Sequence, residues 1–360
     1  MNLFLISNGN FDYDGRLREL YKVFSEMGTL YSITQGSVSQ DSRHKVHTGN
    51  YISFIKEAVK YGKSIDKIDV LVLDNRKSIL PGLMLKKSKR PAVTIQDCRE
   101  LYVKKEVPHL AGKIGCVIEK WGIKRSDVII CANKERADMM KDMFSLKDAP
   151  VVYENLRRLV YSDNSAERSQ KEKFAHLIKE DEIRLISSSG CSVSRTNDVL
   201  VSNLDRVEKK CRLFLVGDNT REDEDAIRSI MKEKGLDNVE ILGRVNQDEL
   251  KYLISVSHIG IVNYHQKDTN NKYCASGKVY EFIYDGVPVV TTTNPPLKNM
   301  CDDAHIGEAD DNYADAINKV MANYDGYREA ANAFASKNPV EENNNKLLRD
   351  LNEKIAQLAN

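Results

Sequence analysis

A short stretch near residue 280 contains a lysine that could bind an anion and a glutamate that could bind hydroxyl groups of the same ligand. The segment SGKVYEFIYDGVPVV, residues 276–290, predicts a helix of about ten residues, with Ser276 as its N-cap and Gly286 ending it before a strand. Lys278 then lies in the first turn, where the helix dipole disfavours a cation unless an anion is bound. Glu281 follows on the same face and could accept hydrogen bonds from a ribose diol. A plain surface pair between Lys278 and Glu281 is the alternative.

Two further loops contain residues that could approach a phosphate. Residues 188–198, SSGCSVSRTND, follow a strand-like run and combine small residues, among them Gly190, with Arg195. Gly217 and Asp218 follow the run RLFLV as a tight turn of the kind that lines nucleotide sites, although a purely structural turn is at least as common. The spacing in neither loop matches a P-loop.

Parallel sheets are needed to position these loops, and the hydrophobic pattern predicts two of them. Short β-branched runs alternate with helical apolar spacing through residues 1–160, and the rhythm restarts after the polar stretch 162–173. The pattern predicts an α/β protein with two doubly wound domains. Ligands of such sheets bind beyond the carboxyl ends of the strands, so a cleft between the domains is the expected site.

We predict an N-terminal domain over 1–165, a C-terminal domain over 180–320 and a polar helical tail over 321–360. Residues 1–160 hold 28 Lys and Arg against 19 Asp and Glu, whereas the net charge of the chain is only +1. Basic clusters at 86–90, 104–105 and 124–125 could face an anionic membrane or a phosphate-bearing acceptor. A solvated helix surface is the alternative for each of them. We expect no nucleic-acid partner.

Cysteine usage and apolar run length indicate a reduced, cytoplasmic compartment. The seven cysteines are scattered singly, without the spacing of a zinc site, so we expect buried thiols rather than disulfides or structural metal. No apolar run is long enough to span a membrane, and we expect no signal peptide.

The motif around Lys278 resembles a signature of a known enzyme family. K-x-x-E-[FY]-x-x-x-G-x-P-V-V is similar to that of GT-B glycosyltransferases of the large retaining, family 4-like (group 1) type, in its bacterial surface-polysaccharide branch. Further blocks resemble the same family in the same order over about residues 1–320. They include DYDGRLREL at 12–20, QDCREL at 96–101, KRSDVIICANKERADMM at 124–140 and VVYENL at 151–156.

The resemblance implies transfer of a sugar from a nucleoside-diphosphate sugar to a glycan or lipid-linked acceptor of a capsule, O-antigen or exopolysaccharide. Lys278 and Arg195 would bind the diphosphate, Glu281 the ribose, and loop 270–276 would cover the sugar. The implied donor-binding set is Gly190, Gly217, Asp218, Asn271, Tyr273, Ser276, Gly277, Lys278 and Glu281, with Lys278, Arg195 and Glu281 as the catalytic group. The implied acceptor-side set is Gly9, Asp14, Arg16, Asp97, Arg99 and Glu100.

The chain departs from the family pattern at two positions. Tyr273 stands where many relatives have a glutamate, and Arg99 replaces the histidine of a D-x-H-E block. A non-catalytic partner subunit is therefore an alternative, and a non-hydrolysing nucleotide-sugar epimerase, an isomerase on the same fold, is another. A Rossmann dehydrogenase is disfavoured because no G-x-G-x-x-G follows the first strand. The DYD at 12–14 imitates a metal-binding DxD but reads as a loop, so we expect no metal and no other cofactor.

Overall fold

Two compact units make up the chain. The computed structural model describes residues 1–36 and 41–359. Unit 1 comprises Met1–Asn155 and Val340–Asn360, and unit 2 comprises Leu156–Pro339. The segment 321–360, which the sequence predicts as one tail, is thus divided between the units.

Unit 1 is built on a parallel sheet of seven strands in the order β3-β2-β1-β4-β5-β6-β7. The strands are β1 (Asn2–Asn10), β2 (Thr29–Gln35), β3 (His44–Val46), β4 (Val70–Asp74), β5 (Val93–Cys98), β6 (Val128–Cys131) and β7 (Val151–Val152). The helices are α1 (Gly15–Glu26), α2 (Tyr51–Ser64), α3 (Ile79–Lys89), α4 (Leu110–Ile123), α5 (Lys134–Phe144) and α15 (Val340–Ala359). The order reverses between β1 and β4.

Unit 2 repeats the scheme with a parallel sheet of six strands in the order β10-β9-β8-β11-β12-β13. The strands are β8 (Ile183–Ser187), β9 (Cys211–Val216), β10 (Val239–Gly243), β11 (Ile259–Val262), β12 (Val289–Thr291) and β13 (Gly307–Ala309). The helices are α6 (Ala166–Phe174), α7 (Asn197–Ser202), α8 (Arg221–Lys234), α9 (Gln247–Ser255), α10 (Thr269–Lys272), α11 (Gly277–Ile283), α12 (Pro295–Ala304), α13 (Tyr313–Ala322) and α14 (Tyr324–Lys337). Here the order reverses between β8 and β11.

Burial on both faces explains why the central strands read as nearly continuous apolar runs. In β1, Leu3 and Leu5 lie in a core cluster that includes Leu347 of α15, whereas Phe4 and Ile6 lie in a second cluster with Phe54 of α2. Successive side chains of a strand point to opposite faces, so one strand contributes to two cores. The predicted pair of doubly wound parallel sheets is confirmed.

The expected burial of the cysteines is also confirmed, since all seven side chains are buried. Within residues 1–36 and 41–359, no helix is both long enough and apolar enough to cross a membrane.

Candidate functional site

The reversal of strand order in unit 2 creates a crevice where side chains of different loops converge. The loops that follow β8 and β11 leave the sheet in opposite directions, which is where open α/β sheets bind ligands. Ser189, after β8, donates a hydrogen bond to Oδ1 of Asn263, after β11, at 3.2 Å. Asn197 of α7 accepts from the Asn263 amide at 2.8 Å and donates to Gly190 O at 2.8 Å. These bonds hold the crevice floor in one arrangement.

Gly190 and Gly217 let two loops pack backbone against backbone beside this floor. The Gly190 N–H donates to Val216 O at 2.8 Å, and its φ of +60° is in the left-handed region. A Cβ on Gly190 would lie 2.4 Å from Oδ1 of Asn219, and one on Gly217 would lie 2.9 Å from Gly190 N. The predicted Asp218 points outward instead, with an ion pair to Arg244 at 3.8 Å.

Helix α11, which carries Lys278, is shorter than the sequence predicts. It spans seven residues, Gly277–Ile283, rather than about ten, and the Ser276 side chain forms no capping hydrogen bond. The predicted stop at Gly286 is confirmed, because its N–H donates to Ile283 O at 2.9 Å with φ at +66°. This three-residue bond tightens the last turn, which explains the shorter helix.

Lys278 is a partly buried cation without a carboxylate partner. Its ammonium donates to Ser188 O at 2.8 Å and makes no ion pair with any residue that the structure describes. Burial and, to a smaller extent, the positive charge of Arg195 lower the pKa of Lys278 to about 8, although the charge of Glu281 opposes the shift. The alternative of a surface pair between Lys278 and Glu281 is therefore wrong.

Arg195 is the second cation of the site. Its guanidinium carbon lies 4.0 Å from the centroid of the Tyr264 ring, and Nη1 donates to Oδ1 of Asn271 at 3.1 Å. Asn271 is held in turn by Asp268, which accepts from its side-chain amide at 2.8 Å. Like Lys278, Arg195 has no ion pair within the described ranges 1–36 and 41–359. Two positive charges thus converge without neutralisation.

Glu281 is buried and has a partner that the sequence did not suggest. Arg157 places Nη1 3.2 Å from Oε1 of Glu281. Burial raises the pKa of Glu281, and the charges of Arg157 and Lys278 work against that rise. Arg157 comes directly after the VVYENL block, and its only sequence signal is the basic pair that it forms with Arg158.

Two buried hydroxyls flank Lys278 with unused hydrogen-bonding capacity. The Oγ atoms of Ser188 and Ser276 have no hydrogen-bond partner among the described residues. Ser188 is the residue whose carbonyl accepts from Lys278, and Ser276 directly precedes α11. A buried hydroxyl without a partner is costly unless a ligand supplies one.

The predicted sugar-covering loop, 270–276, begins within the short helix α10, and hydrogen bonds fix both ends of that helix. Asp268 caps α10 by accepting from the Asn271 N–H at 2.9 Å. Asn294, in the loop after β12, donates to Asn271 O at 2.9 Å. Tyr273 lies at the C-cap of α10, and Gly277 is the first residue of α11.

In unit 1, four of the predicted acceptor-side residues meet at the reversal of strand order. Arg99 donates to both carboxylate oxygens of Asp74, at 2.6 and 2.8 Å, and also contacts Asp14. Arg16 donates to both oxygens of Asp97, at 2.9 and 2.6 Å. Asp74 was not predicted. This group of Asp14, Arg16, Asp74, Asp97 and Arg99 is called the Arg99 cluster below.

The Arg99 cluster neutralises nearly all of its own charge. It contains three carboxylates and two guanidiniums. Burial raises the pKa of Asp74 to about 6, with Asp97 and Asp14 adding to the rise and Arg99 opposing it. The Arg99 guanidinium is thus ion-paired with carboxylates of the protein itself.

The remaining acceptor-side predictions lie at the margin of this cluster. The Gly9 N–H donates to Ser7 Oγ at 2.9 Å, and that hydroxyl contacts Asp74. Glu100 lies outside it, 3.8 Å from Arg136. Asp14 caps α1 by accepting from the Leu17 N–H at 2.9 Å, which agrees with reading DYD as a loop. No group of three or more His, Cys, Asp or Glu side chains suited to a metal occurs in the described part of the chain. The expected lack of a metal cofactor stays a prediction.

Residues 190–323 match the family model described as glycosyl transferases group 1. The match spans 134 of the 360 residues, all of them in unit 2. This range includes Gly190, Arg195, Lys278 and Glu281, so the predicted donor-binding residues lie inside the matched domain. The predicted enzyme class, glycosyltransferase, is confirmed. No curated protein matches the sequence significantly.

Solved structures resemble this chain along nearly its whole length. HepE (Alr3699) from Anabaena, solved in complex with UDP, has 12% identity and a TM-score of 0.74 over 98% of this chain and 100% of its own. Sucrose-phosphate synthase from Thermosynechococcus elongatus has 15% identity and a TM-score of 0.67 over 100% and 97%. UDP-GlcNAc 2-epimerase from Neisseria meningitidis has 9% identity and a TM-score of 0.59 over 99% and 100%. At these identities the likeness concerns the fold alone, and the predicted GT-B fold is confirmed.

Proposed function

We propose that the chain is a retaining glycosyltransferase that uses a nucleoside-diphosphate sugar as donor. The observation that carries this proposal is the pair of cations, Lys278 and Arg195, which lie at the crevice without an ion-pair partner in the described chain, inside the range that matches the group 1 model. Two unpaired positive charges beside small residues and a strand-order reversal suit a diphosphate. We further propose an acceptor of the glycan or lipid-linked kind, in polysaccharide synthesis in the cytoplasm.

The donor would bind the two cations that have no ion-pair partner and the two hydroxyls that have no hydrogen-bond partner among the described residues. The diphosphate oxygens would accept from the Lys278 ammonium and from Arg195, and the free hydroxyls of Ser188 and Ser276 would add donors. Glu281 would accept from the ribose diol. Uridine is the first base to test, because the structurally similar HepE was solved with UDP and with UDP-glucose.

Catalysis would consist of stabilising the charge that develops on the departing diphosphate. The bond between the anomeric carbon and the phosphate oxygen breaks while the acceptor hydroxyl attacks from the same face, and its proton passes to the departing phosphate. Lys278 and Arg195 lie ready to bind that charge in a partly buried site, where such interactions are stronger than in water. This scheme uses neither a protein nucleophile nor a metal.

Calorimetric titration with UDP, GDP and dTDP tests donor binding. We expect one nucleotide to bind at least about tenfold more tightly than the others, because base contacts add to shared diphosphate contacts. Binding of none of them would contradict the proposal.

Turnover of a UDP-sugar with and without acceptor glycans tests the reaction itself. Lys278→Met should cut turnover by at least about a hundredfold, as loss of an oxyanion-stabilising group does. Lys232→Met, at an exposed position of α8 in the same unit, is the matched control and should leave turnover unchanged. Conversion of the sugar without any acceptor would instead favour an epimerase, and inversion at the anomeric carbon of the product would contradict retention.

A further inference from the structure

Helix α4 of unit 1 carries an apolar stripe that faces solvent. Leu110, Ile114, Val117 and Trp121 are 74%, 51%, 37% and 55% exposed. Their spacing of four, three and four residues places them on one face of the helix. Single exposed apolar residues are ordinary, but a continuous row along one helix indicates an interaction surface. These four residues are called the α4 stripe.

Positive charge lies along one side of the α4 stripe. Lys113, Lys120 and Lys124 repeat with the helical period and project beside the stripe, with Lys124 at the C-cap of α4. Arg125 follows, with its guanidinium carbon 5.7 Å from the centroid of the Trp121 ring. The flank is therefore basic along the whole helix.

Negative charge is absent from the same face of α4. The only acidic residue of the helix is Glu119, which lies on the opposite, buried face and is paired with Arg76 at 2.6 Å. Cys116 and Ile123 are buried on that inner face as well. The helix thus has one face packed on unit 1 and one face that combines apolar and basic residues.

We propose that the α4 stripe docks the protein on a membrane surface that contains anionic lipids. The apolar side chains would enter the boundary between headgroups and acyl chains, with Trp121 at the depth where tryptophan is enriched. The lysine row would lie at the headgroups and attract anionic lipids. A second copy of the chain fits less well, because two such faces would bring lysines together with no carboxylate to pair them.

The proposal concerns unit 1 alone and does not depend on the donor chemistry of unit 2. A failure of UDP to bind would contradict the proposed function and leave the membrane result intact. A failure to bind vesicles would contradict only the docking proposal.

Trp121 makes the test direct, because it is the only tryptophan of the chain. The full-length protein is mixed with vesicles of phosphatidylcholine alone or with added phosphatidylglycerol. With the anionic vesicles we expect a blue shift of tryptophan emission, quenching by lipids brominated in the acyl chain, and cosedimentation that weakens with salt. Absence of the shift and of cosedimentation would overturn the proposal.

Variants separate the apolar and the basic parts of the surface while Trp121 stays as the reporter. Leu110→Glu with Ile114→Glu should lower vesicle partitioning at least about tenfold, because charge is introduced into the inserting face. The matched control is Ile52→Glu with Met143→Glu, since both residues are exposed apolar side chains of unit 1 away from α4. The control should bind vesicles like the unmodified protein.

Charge reversal at Lys113 and Lys120 should also lower partitioning at least about tenfold, and Lys56→Glu with Lys60→Glu on α2 is its matched control. UDP affinity should be the same in all of these variants. Unchanged vesicle binding in the stripe variant would overturn the proposal. Self-association that the stripe variant abolishes, without any binding to vesicles, would overturn it in favour of a second copy.

Discussion

Both parallel sheets have charged side chains at the reversal of strand order. The cations are ion-paired in unit 1 and, among the described residues, have no ion pair in unit 2. At the reversal in unit 1, Arg99 is surrounded by the carboxylates of Asp14, Asp74 and Asp97. At the reversal in unit 2, Lys278 and Arg195 meet without any carboxylate partner in the described chain. Identical topology therefore supports either a closed ion-pair cluster or an open cation site.

This difference in ion pairing indicates which of the two sites is suited to bind a charged ligand. A buried guanidinium with several carboxylates is satisfied, so its first role is to hold the ends of β4 and β5 and the start of α1 together. A cation whose pKa is lowered by burial has lost hydration without gaining an ion-pair partner, and such groups concentrate at functional sites. The unpaired charge in unit 2 is thus the better marker of chemistry.

Replacing Arg99 should cause the largest loss of stability among the variants considered. Arg99→Met leaves Asp74 buried without its bidentate partner, and we expect the free energy of unfolding to fall by about 3–5 kcal/mol. Denaturation in urea measures the change. Arg43→Met is the control and should change little, because its guanidinium is exposed.

A second variant keeps that prediction testable if Arg99→Met does not fold. Adding Asp74→Asn removes the buried charge that Arg99→Met exposes, so the double variant should recover part of the lost stability. A loss close to that of Arg43→Met would show that the cluster is not structural.

Replacing Lys278 should have little effect on the free energy of unfolding and a large effect on UDP affinity, in contrast to the replacement of Arg99. Lys278→Met loses one hydrogen bond but also an unpaired buried charge, so the free energy of unfolding should change by less than about 1 kcal/mol. UDP affinity should fall by about 1.5–3 kcal/mol, or roughly ten- to 150-fold. Urea denaturation and calorimetry test the two halves, and a loss of stability like that of Arg99→Met would remove the contrast between the units.

Glu281→Gln should weaken binding of the ribose but not binding of the diphosphate. We expect UDP affinity to fall by about 1 kcal/mol, roughly fivefold, because the amide accepts hydrogen bonds less well than the carboxylate. Affinity for inorganic pyrophosphate should be unchanged or higher, since a negative charge is removed beside the cations. Calorimetry with both ligands measures the split, with the exposed Glu222→Gln as control, and equal losses for both ligands would refute the ribose role.

The smallest expected effect is a pH dependence of donor binding. Lys278 has a pKa of about 8, so the ligand-free protein carries this cation below that pH and loses it above. UDP affinity should therefore decline from about pH 7 to about pH 9, where the phosphate is already ionised, and binding near pH 8 should take up a proton.

Lys278→Met should show a flat profile over the same range. Folding has the matching sign, because a lysine whose pKa is lowered in the folded state makes the unliganded protein more stable as the pH rises from about 8 towards 10.5. A decline of UDP affinity that survives in Lys278→Met would assign the titration to another group.

The central strands were predictable because both faces of each are buried. In β4, for example, the first four residues, VLVL, are apolar, and the structure buries all of them. The short strands β3 (His44–Val46) and β13 (Gly307–Ala309) were missed. They lie at sheet edges with mostly incomplete burial, so they carry no continuous apolar run.

The candidate site was only partly predictable. Lys278 and Glu281 share one helix, and the spacing of a local motif is visible in sequence. Arg157, Ser188 and Asp74 were missed because their roles depend on which loops the sheets bring together. The reduced length of α11 was missed as well, since the choice between helical and tighter bonds in a last turn depends on local packing.

By itself, the sequence determined the class of sheet, the glycosyltransferase motif and the residues that could bind an anion, because burial patterns and short spacings are local properties of the chain. Only the tertiary structure decided which charges are neutralised. Arg99 and Arg195 are the same residue type after a parallel strand, yet one meets three aspartates and the other an aromatic ring and an amide. Ion pairing requires distances of a few ångströms, and strand order, rather than sequence spacing, determines those distances.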